Sequence, residues 1–250
     1  YAIVRVRAGA RRGAEVEAAL PALVSAWAVK RSAEARVELL AKLIGHRTYH
    51  EEGNSPPGNS PAFQALAADL KDFADTKGLD FTSVDNLAFE IGYPNTRRRS
   101  KRRKVGVLVH ADVVPAEGPG WESDPFEAKI TDEAVYGRGA LDDKGALVAS
   151  LFAISAIADA APIRKNLPVL IVGTSEETHW DGIDRYVAKR GAPDKVFVAD
   201  GSFPLSVGEK GVATATVTVP QDPPADEAAP GFELVDLKGG QVSNQVPAYS

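Results

Sequence analysis

The stretch Lys104-Val-Gly-Val-Leu-Val-His-Ala-Asp-Val-Val-Pro115 constrains the fold more than any other part of the chain. Val105, Val107 and Val109 alternate with Gly106, Leu108 and His110. A run so rich in β-branched residues predicts a strand buried on both faces. It closes on His110 and Asp112, which on a strand point to the same side. Ligands of open α/β sheets bind beyond the carboxyl ends of the strands, and an imidazole beside a carboxylate is a metal-ligand arrangement. Alone, a histidine at a strand end reads more often as a hydrogen-bonded structural residue. The downstream sequence reverses that balance.

Leu167–Val172 is a second buried strand and runs into Gly173-Thr-Ser-Glu-Glu-Thr178, while Lys195–Val198 leads to Asp200. Between and before these lie apolar residues at helical spacing, in Arg12–Lys30, Ala33–Leu43, Pro61–Lys77, Leu147–Ile157 and Asp184–Lys189. Shorter strand patterns occupy Asp80–Val84 and Asn86–Tyr93, and Phe126–Ile130 with Ala134–Tyr136 predicts a hairpin. Glu51–Pro61, crowded with Gly, Asn, Ser and Pro, reads as a loop. Strands alternating with helices predict an α/β fold with a doubly wound, largely parallel sheet. The tail changes character: strand patterns at Val212–Val219 and Phe232–Leu237 flank an acidic, Pro-rich connector. The expected division is therefore a domain over residues 1–211 and the beginning of a second over 212–250.

The net charge of −5 argues against a nucleic-acid partner. It also hides an asymmetry, because Arg97–Lys104 alone holds seven of the 29 basic residues. That run lacks interleaved aromatics for base stacking and reads as a solvated loop; the remainder of the chain is acidic enough to suit cations. There is no cysteine, which removes disulfides, thiolate metal sites and a cysteine nucleophile. The most apolar run, Ala146–Ala158, is short and interrupted by Ser150 and Ser155, so no membrane span is expected. No signal-peptide pattern occurs, and the expected location is the cytoplasm.

Gly137-Arg-Gly-Ala-Leu-Asp-Asp-Lys-Gly145 lacks the spacing of a phosphate-binding loop. Its glycines instead permit unusual backbone geometry beside Asp142 and Asp143, at a helix start where negative charge is tolerated. If the strands are parallel, Asp112, Asp142, Asp143, Glu176, Glu177 and Asp200 converge with His110 at one sheet edge. Two bare carboxylates about 4 Å apart repel by roughly 4 kcal/mol at an effective dielectric near 20. Either some are protonated, as in paired-carboxylate acid catalysts, or divalent cations sit among them. The imidazole favours cations, and a His/Asp/Glu set without sulfur suits zinc, manganese or cobalt. No G-x-S-x-G elbow offers a serine nucleophile. His46 and His50, in a polar stretch, read as structural.

Together, H-x-D at His110 and Asp112, G-R-G-x-x-D-D-K-G at 137–145, S-E-E-T at 175–178 and the Asp200 stretch resemble the co-catalytic dizinc metallopeptidases. That family includes carboxypeptidase G, carnosinase, succinyl-diaminopimelate desuccinylase and acetylornithine deacetylase. Trp121-x-x-Asp124-Pro-Phe126, Trp180, Phe203-Pro204 and Gly208-Glu-Lys-Gly211 are most similar to its bacterial dipeptidase V branch. The resemblance implies a phosphorylase/hydrolase-like catalytic domain, the start of an α+β lid from residue 212, and a homodimer formed through the lid. It implies two divalent ions, zinc before manganese or cobalt. His110, Asp142 and Asp200 would ligate the first; Asp142, joined to Asp143 by a cis bond, would bridge to the second, which Glu177 also ligates. Asp112 would orient the His110 ring and Glu176 would be the general base. The substrate expected is a dipeptide or short peptide. The alternatives are an N-acyl-amino-acid deacylase sharing the metal site and a catalytically silent peptide-binding relative.

One departure matters. The family takes a further histidine from a distal segment, and here no histidine follows His179. His179 itself lies too near the S-E-E-T stretch to match that ligand. Gly239-Gly-Gln-Val-Ser-Asn-Gln-Val-Pro247 resembles the entry to the lid, and the chain lacks methionine. The expectation is an amino-terminal portion of a longer enzyme, with its lid contacts to substrate absent.

Overall fold

Two hydrophobic runs set the sheet. In the computed structural model, β3 (Arg103–His110) lies parallel to β6 (Asn166–Gly173) along its whole length, with His110 opposite Gly173. β7 (Lys195–Val198) joins β3 on its other side, again parallel. The structure describes residues 22, 25–26, 29–30, 32–50, 59–94, 103–116, 120–160 and 166–201, with single positions 206, 208, 211, 215, 217 and 218 beyond. The chain separates into two units, Tyr1–Ser206 and Val207–Ser250; everything below concerns the first. Of the strand pattern expected at Val212–Val219, positions 215, 217 and 218 carry no regular structure. The rest of that tail lies outside the described residues, as do most of Arg12–Lys30, the 51–58 loop and the 97–102 part of the basic run.

Helices α1 (Ala33–Ile44), α2 (Pro61–Lys77), α3 (Lys144–Ala160) and α4 (Asp181–Arg190) surround the sheet. α2 starts on a proline and stops at Gly78 in the left-handed region, φ 63°, so both ends are written in the sequence. The chain crosses from β3 through α3 to β6, then back over β3 through α4 to β7. Reversing the direction of travel while keeping right-handed crossovers sends α3 and α4 to opposite faces. The two buried clusters record this. Phe89, Ile91, Val109, Leu170 and Val172 pack with Leu43, Leu66, Leu70, Leu147 and Leu151 on one face. Ala88, Val169 and Ile171 pack with Tyr186 and Ile183 on the other. Adjacent residues of β6 thus serve different cores, which is why the strand is apolar throughout.

The sheet order is β1-β2-β6-β3-β7, and its outer part departs from the largely parallel expectation. β1 (Asp80–Val84) and β2 (Ala88–Gly92) pair antiparallel, and β2 is antiparallel to β6. The link accounts for the first pairing: three residues cannot make the long crossover a parallel pair needs. Asp85 and Asn86 both adopt positive φ, 55° and 56°, and Ser83 caps the turn through its hydroxyl to Asn86. The sheet is mixed, with a parallel centre of β6, β3 and β7. A separate hairpin, β4 (Lys129–Ile130) with β5 (Val135–Tyr136), occupies the predicted position with shorter strands. Among the described residues no helix is long and apolar enough to cross a membrane.

Candidate metal centre

The parallel centre delivers the chemistry. β3 ends on His110, β6 ends at Gly173 just before Thr174–Glu177, and β7 ends two residues before Asp200. All three carboxyl ends therefore open on one edge. The fourth contribution comes from the segment preceding α3, where the Asp142–Asp143 peptide is cis.

His110 sits at the bottom, with its side chain 3% exposed. Its Nδ1 lies 2.8 Å from the Asp112 main-chain carbonyl, which accepts its proton, while the Asp112 carboxylate stands 3.5 Å away. Nε2 is left facing a rim of carboxylates: Asp142 Oδ1 at 2.8 Å, Asp200 Oδ2 at 3.5 Å and Glu176 Oε2 at 4.0 Å. Two groups of donor atoms gather within ion-binding range, His110 with Asp142 and Asp200, and His110 with Glu176 and Glu177. The rim is open to solvent, Asp142 being 62% exposed. All six residues expected at the site thus meet around one imidazole. The three remaining histidines do not. His46 pairs with Asp69, His50 Nε2 lies 2.9 Å from the Thr174 carbonyl, and His179 is exposed.

The electrostatics are those of a centre crowded with anions. Burial alone would lower the His110 pKa, but hydrogen bonding to Asp112 and Asp142 carries it up to about 11. Burial, reinforced by Asp142, pushes the Glu177 carboxyl to about 7, and burial raises that of Glu176. The bond to His110 holds Asp142 below its ordinary range. Protons here do what cations could do better, and the oxygen-rich, sulfur-free donor set with one neutral-capable imidazole fits zinc, manganese or cobalt.

Several supporting contacts carried no signal in the sequence. The buried Asp143 carboxylate accepts the His110 main-chain N–H at 3.1 Å. Lys144, fully buried, donates to the carbonyls of Leu43 at 2.9 Å and His46 at 2.7 Å, tying the aspartate turn to the end of α1. Thr48, also fully buried, donates to the Ala111 carbonyl at 2.6 Å, and its own carbonyl accepts from Val113. Arg138 stacks its guanidinium 5.2 Å over Trp121 and donates to the Pro115 carbonyl, within electrostatic reach of Glu177 and Asp142.

Residues 106–238, more than half of the chain, match the model of peptidase family M20/M25/M40. The chain belongs to that family. A "Putative dipeptidase" of Staphylococcus haemolyticus is 40% identical over 197 residues, 78% of this chain and 40% of that protein. One of Staphylococcus aureus is 40% identical over 146 residues, 58% of this chain and 31% of the relative. The M20/M25/M40 chain described here thus spans about two fifths or less of these relatives' length. Among solved structures, human carnosine dipeptidase 1 superposes with a TM-score of 0.55 at 20% identity, covering 73% of this chain and 41% of its own. The di-peptidase Dug1p of Saccharomyces cerevisiae gives 0.55 at 19%, covering 70% and 40%. At such identities the likeness is one of fold.

Proposed function

We propose that this chain carries the hydrolytic centre of a metal-dependent peptidase that cleaves dipeptides or short peptides. The observation behind the proposal is the convergence, around His110 Nε2, of carboxylates from three separate stretches: Asp142, Asp200 and Glu176. His110, Asp142 and Asp200 would hold one divalent ion, and Asp142 with Glu177 a second. Two zinc ions, with manganese or cobalt as substitutes, would supply Lewis acidity towards the scissile carbonyl and lower a water's pKa towards about 7. Glu176 takes the proton of the attacking water and returns it to the leaving amine. Burial raises its pKa, the direction that suits a group that must both take and return a proton. The main-chain carbonyl of Asp112 keeps the proton on Nδ1 and so leaves Nε2 as a lone-pair donor. In this reading residues 1–211 form the catalytic part, residues 212–250 begin a lid, and the lid mediates a homodimer.

The test is turnover by zinc-reconstituted protein on dipeptides beside N-acetyl and N-succinyl amino acids. Dipeptide cleavage supports the proposal; turnover confined to N-acyl substrates replaces it with a deacylase using the same centre. Glu176→Gln should leave zinc binding intact and cut the rate by about 10²–10⁴-fold, the usual worth of a general base. Unchanged turnover in that variant refutes the role given to Glu176.

A further inference from the structure

We infer that the side chain of Asp112, which also stands 3.5 Å from the His110 ring, is a positioning group for Glu176 acting through the Glu176–Glu177 backbone. Each oxygen of its buried carboxylate accepts a main-chain N–H from the turn after β6. Oδ1 accepts the main-chain N–H of Glu176 at 3.1 Å, and Oδ2 accepts that of Glu177 at 2.9 Å. The ring is 3.5 Å from the carboxylate, whereas the Asp112 carbonyl takes Nδ1–H at 2.8 Å. One residue therefore performs two separable tasks. Its main chain sets the tautomer of His110; its side chain fixes the peptide from which Glu176 and Glu177 project.

That peptide needs fixing. Glu176 lies in the turn after β6, and its side chain is 30% exposed. Packing alone does not immobilise it. On the far side, the Ser175 carbonyl accepts Trp180 N–H at 2.8 Å and the Ser175 hydroxyl accepts Gly182 N–H at 3.1 Å, which closes the loop onto α4. Between that closure and β6, the Asp112 carboxylate is the contact that aims two consecutive N–H groups inward. Charge-assisted bonds from backbone N–H groups to a carboxylate in a dry site are among the stronger ones a protein makes. A general base must also hold hydrogen-bond distance to the proton it removes. The clamp thus links the position of the base to the strand that carries the histidine.

Asp112→Asn separates the tasks. The amide keeps the shape and the main-chain carbonyl but offers one acceptor oxygen, so one of the two N–H groups then faces an NH₂ donor. The measurement is amide hydrogen exchange by NMR on metal-free protein, beside a zinc dissociation constant from chelator competition. In the wild type, the Glu176 and Glu177 amides should exchange at least about tenfold more slowly than that of exposed His179. In Asp112→Asn at least one of the two should lose about tenfold or more of its protection, whether or not the zinc Kd moves. Absence of protection in the wild type overturns the inference without any variant, so a variant that fails to fold does not shield it. Unchanged exchange in a folded Asp112→Asn overturns it too, as does a Kd raised tenfold or more with both amides still protected, which would confine the side chain to the ring. A kinetic arm rests on the hydrolase reading: kcat for a dipeptide should fall at least about tenfold with KM within about threefold. If the wild type turns nothing over, that reading fails while the exchange and zinc measurements still decide the clamp.

Discussion

Replacing Glu90 by glutamine tests how α4, the helix that follows the catalytic turn, is held to the sheet. Glu90 lies in the middle of β2 with its side chain 10% exposed, and both oxygens are used. Oε2 accepts from Lys104 Nζ at 2.9 Å and from the Tyr186 hydroxyl at 2.5 Å, and Oε1 accepts from Arg190 at 2.6 Å. Tyr186 and Arg190 both belong to α4. Glutamine has one acceptor oxygen, and the arrangement of least cost points it at Tyr186 and Lys104, because the Tyr186 hydroxyl is buried whereas Arg190 is 38% exposed and can turn to water. The Tyr186 bond becomes neutral and the Lys104 bond loses its anionic acceptor, at about 1 kcal/mol each. The Arg190 pairing is lost for roughly 0.5–1 kcal/mol more, being half exposed. Glu90→Gln should therefore cost about 2–3 kcal/mol at pH 7. The cost must also depend on pH with a fixed sign. Burial alone would raise the Glu90 pKa, but Arg190, Tyr186 and Lys104 together hold it below its ordinary value. A carboxyl with a depressed folded pKa binds fewer protons when folded. Its stabilisation is complete above the unfolded value near 4.5 and drains away as pH falls through the folded one. Urea unfolding followed by tryptophan fluorescence, with Trp180 at the start of α4 as one reporter, should show the wild-type advantage at pH 7 shrinking towards pH 3. A variant within about 0.5 kcal/mol of wild type at pH 7, or an advantage equal at both pH values, would refute the reasoning.

Two further outcomes bear on the centre itself. His110→Ala should abolish zinc binding measurable by chelator competition, whereas His179→Ala should leave the Kd within about twofold, since only His110 faces the carboxylate rim. Zinc binding lost in both variants would place His179 among the ligands. Gly145→Ala should destabilise the chain by about 2–3 kcal/mol and weaken zinc binding as well, because a Cβ at position 145 would stand 2.3 Å from the Ala140 carbonyl oxygen and push on the Asp142 turn. A thermal shift and a Kd both indistinguishable from wild type would count against that packing.

The strands and helices that carry the site were legible because their signals are local. β-branched runs marked β3 and β6, and a leading proline with a trailing glycine marked both ends of α2. Which strand pairs with which is not local. The Asp85–Leu87 link is short enough to require an antiparallel β1–β2 pair, yet the side of the parallel centre on which that pair lands is a tertiary outcome. Lys104 shows the same limit, since it ends a run that reads as solvated loop but pairs with Glu90 across the sheet.

The candidate site divides along a related line. His110, Glu176, Glu177 and Asp200 were legible because each stands at or just after the carboxyl end of a strand, and parallel strands bring such ends together whatever else the chain does. Their side chains also belong to the few types that bind cations, so residue type and position both spoke. The contacts that hold them in place run from side chain to main chain: Asp143 to His110 N–H, Lys144 to the Leu43 and His46 carbonyls, Asp112 to the Glu176 and Glu177 N–H groups. Every residue carries a main-chain donor or acceptor apart from proline's missing N–H, so the partner of such a bond leaves no trace in the spelling of the sequence. Asp112 is the clearest instance. Its place two residues after His110 suggested a partner for the ring, and its carboxylate, 3.5 Å from that ring, also reaches across to the neighbouring strand's turn, a distance of 64 residues in the chain.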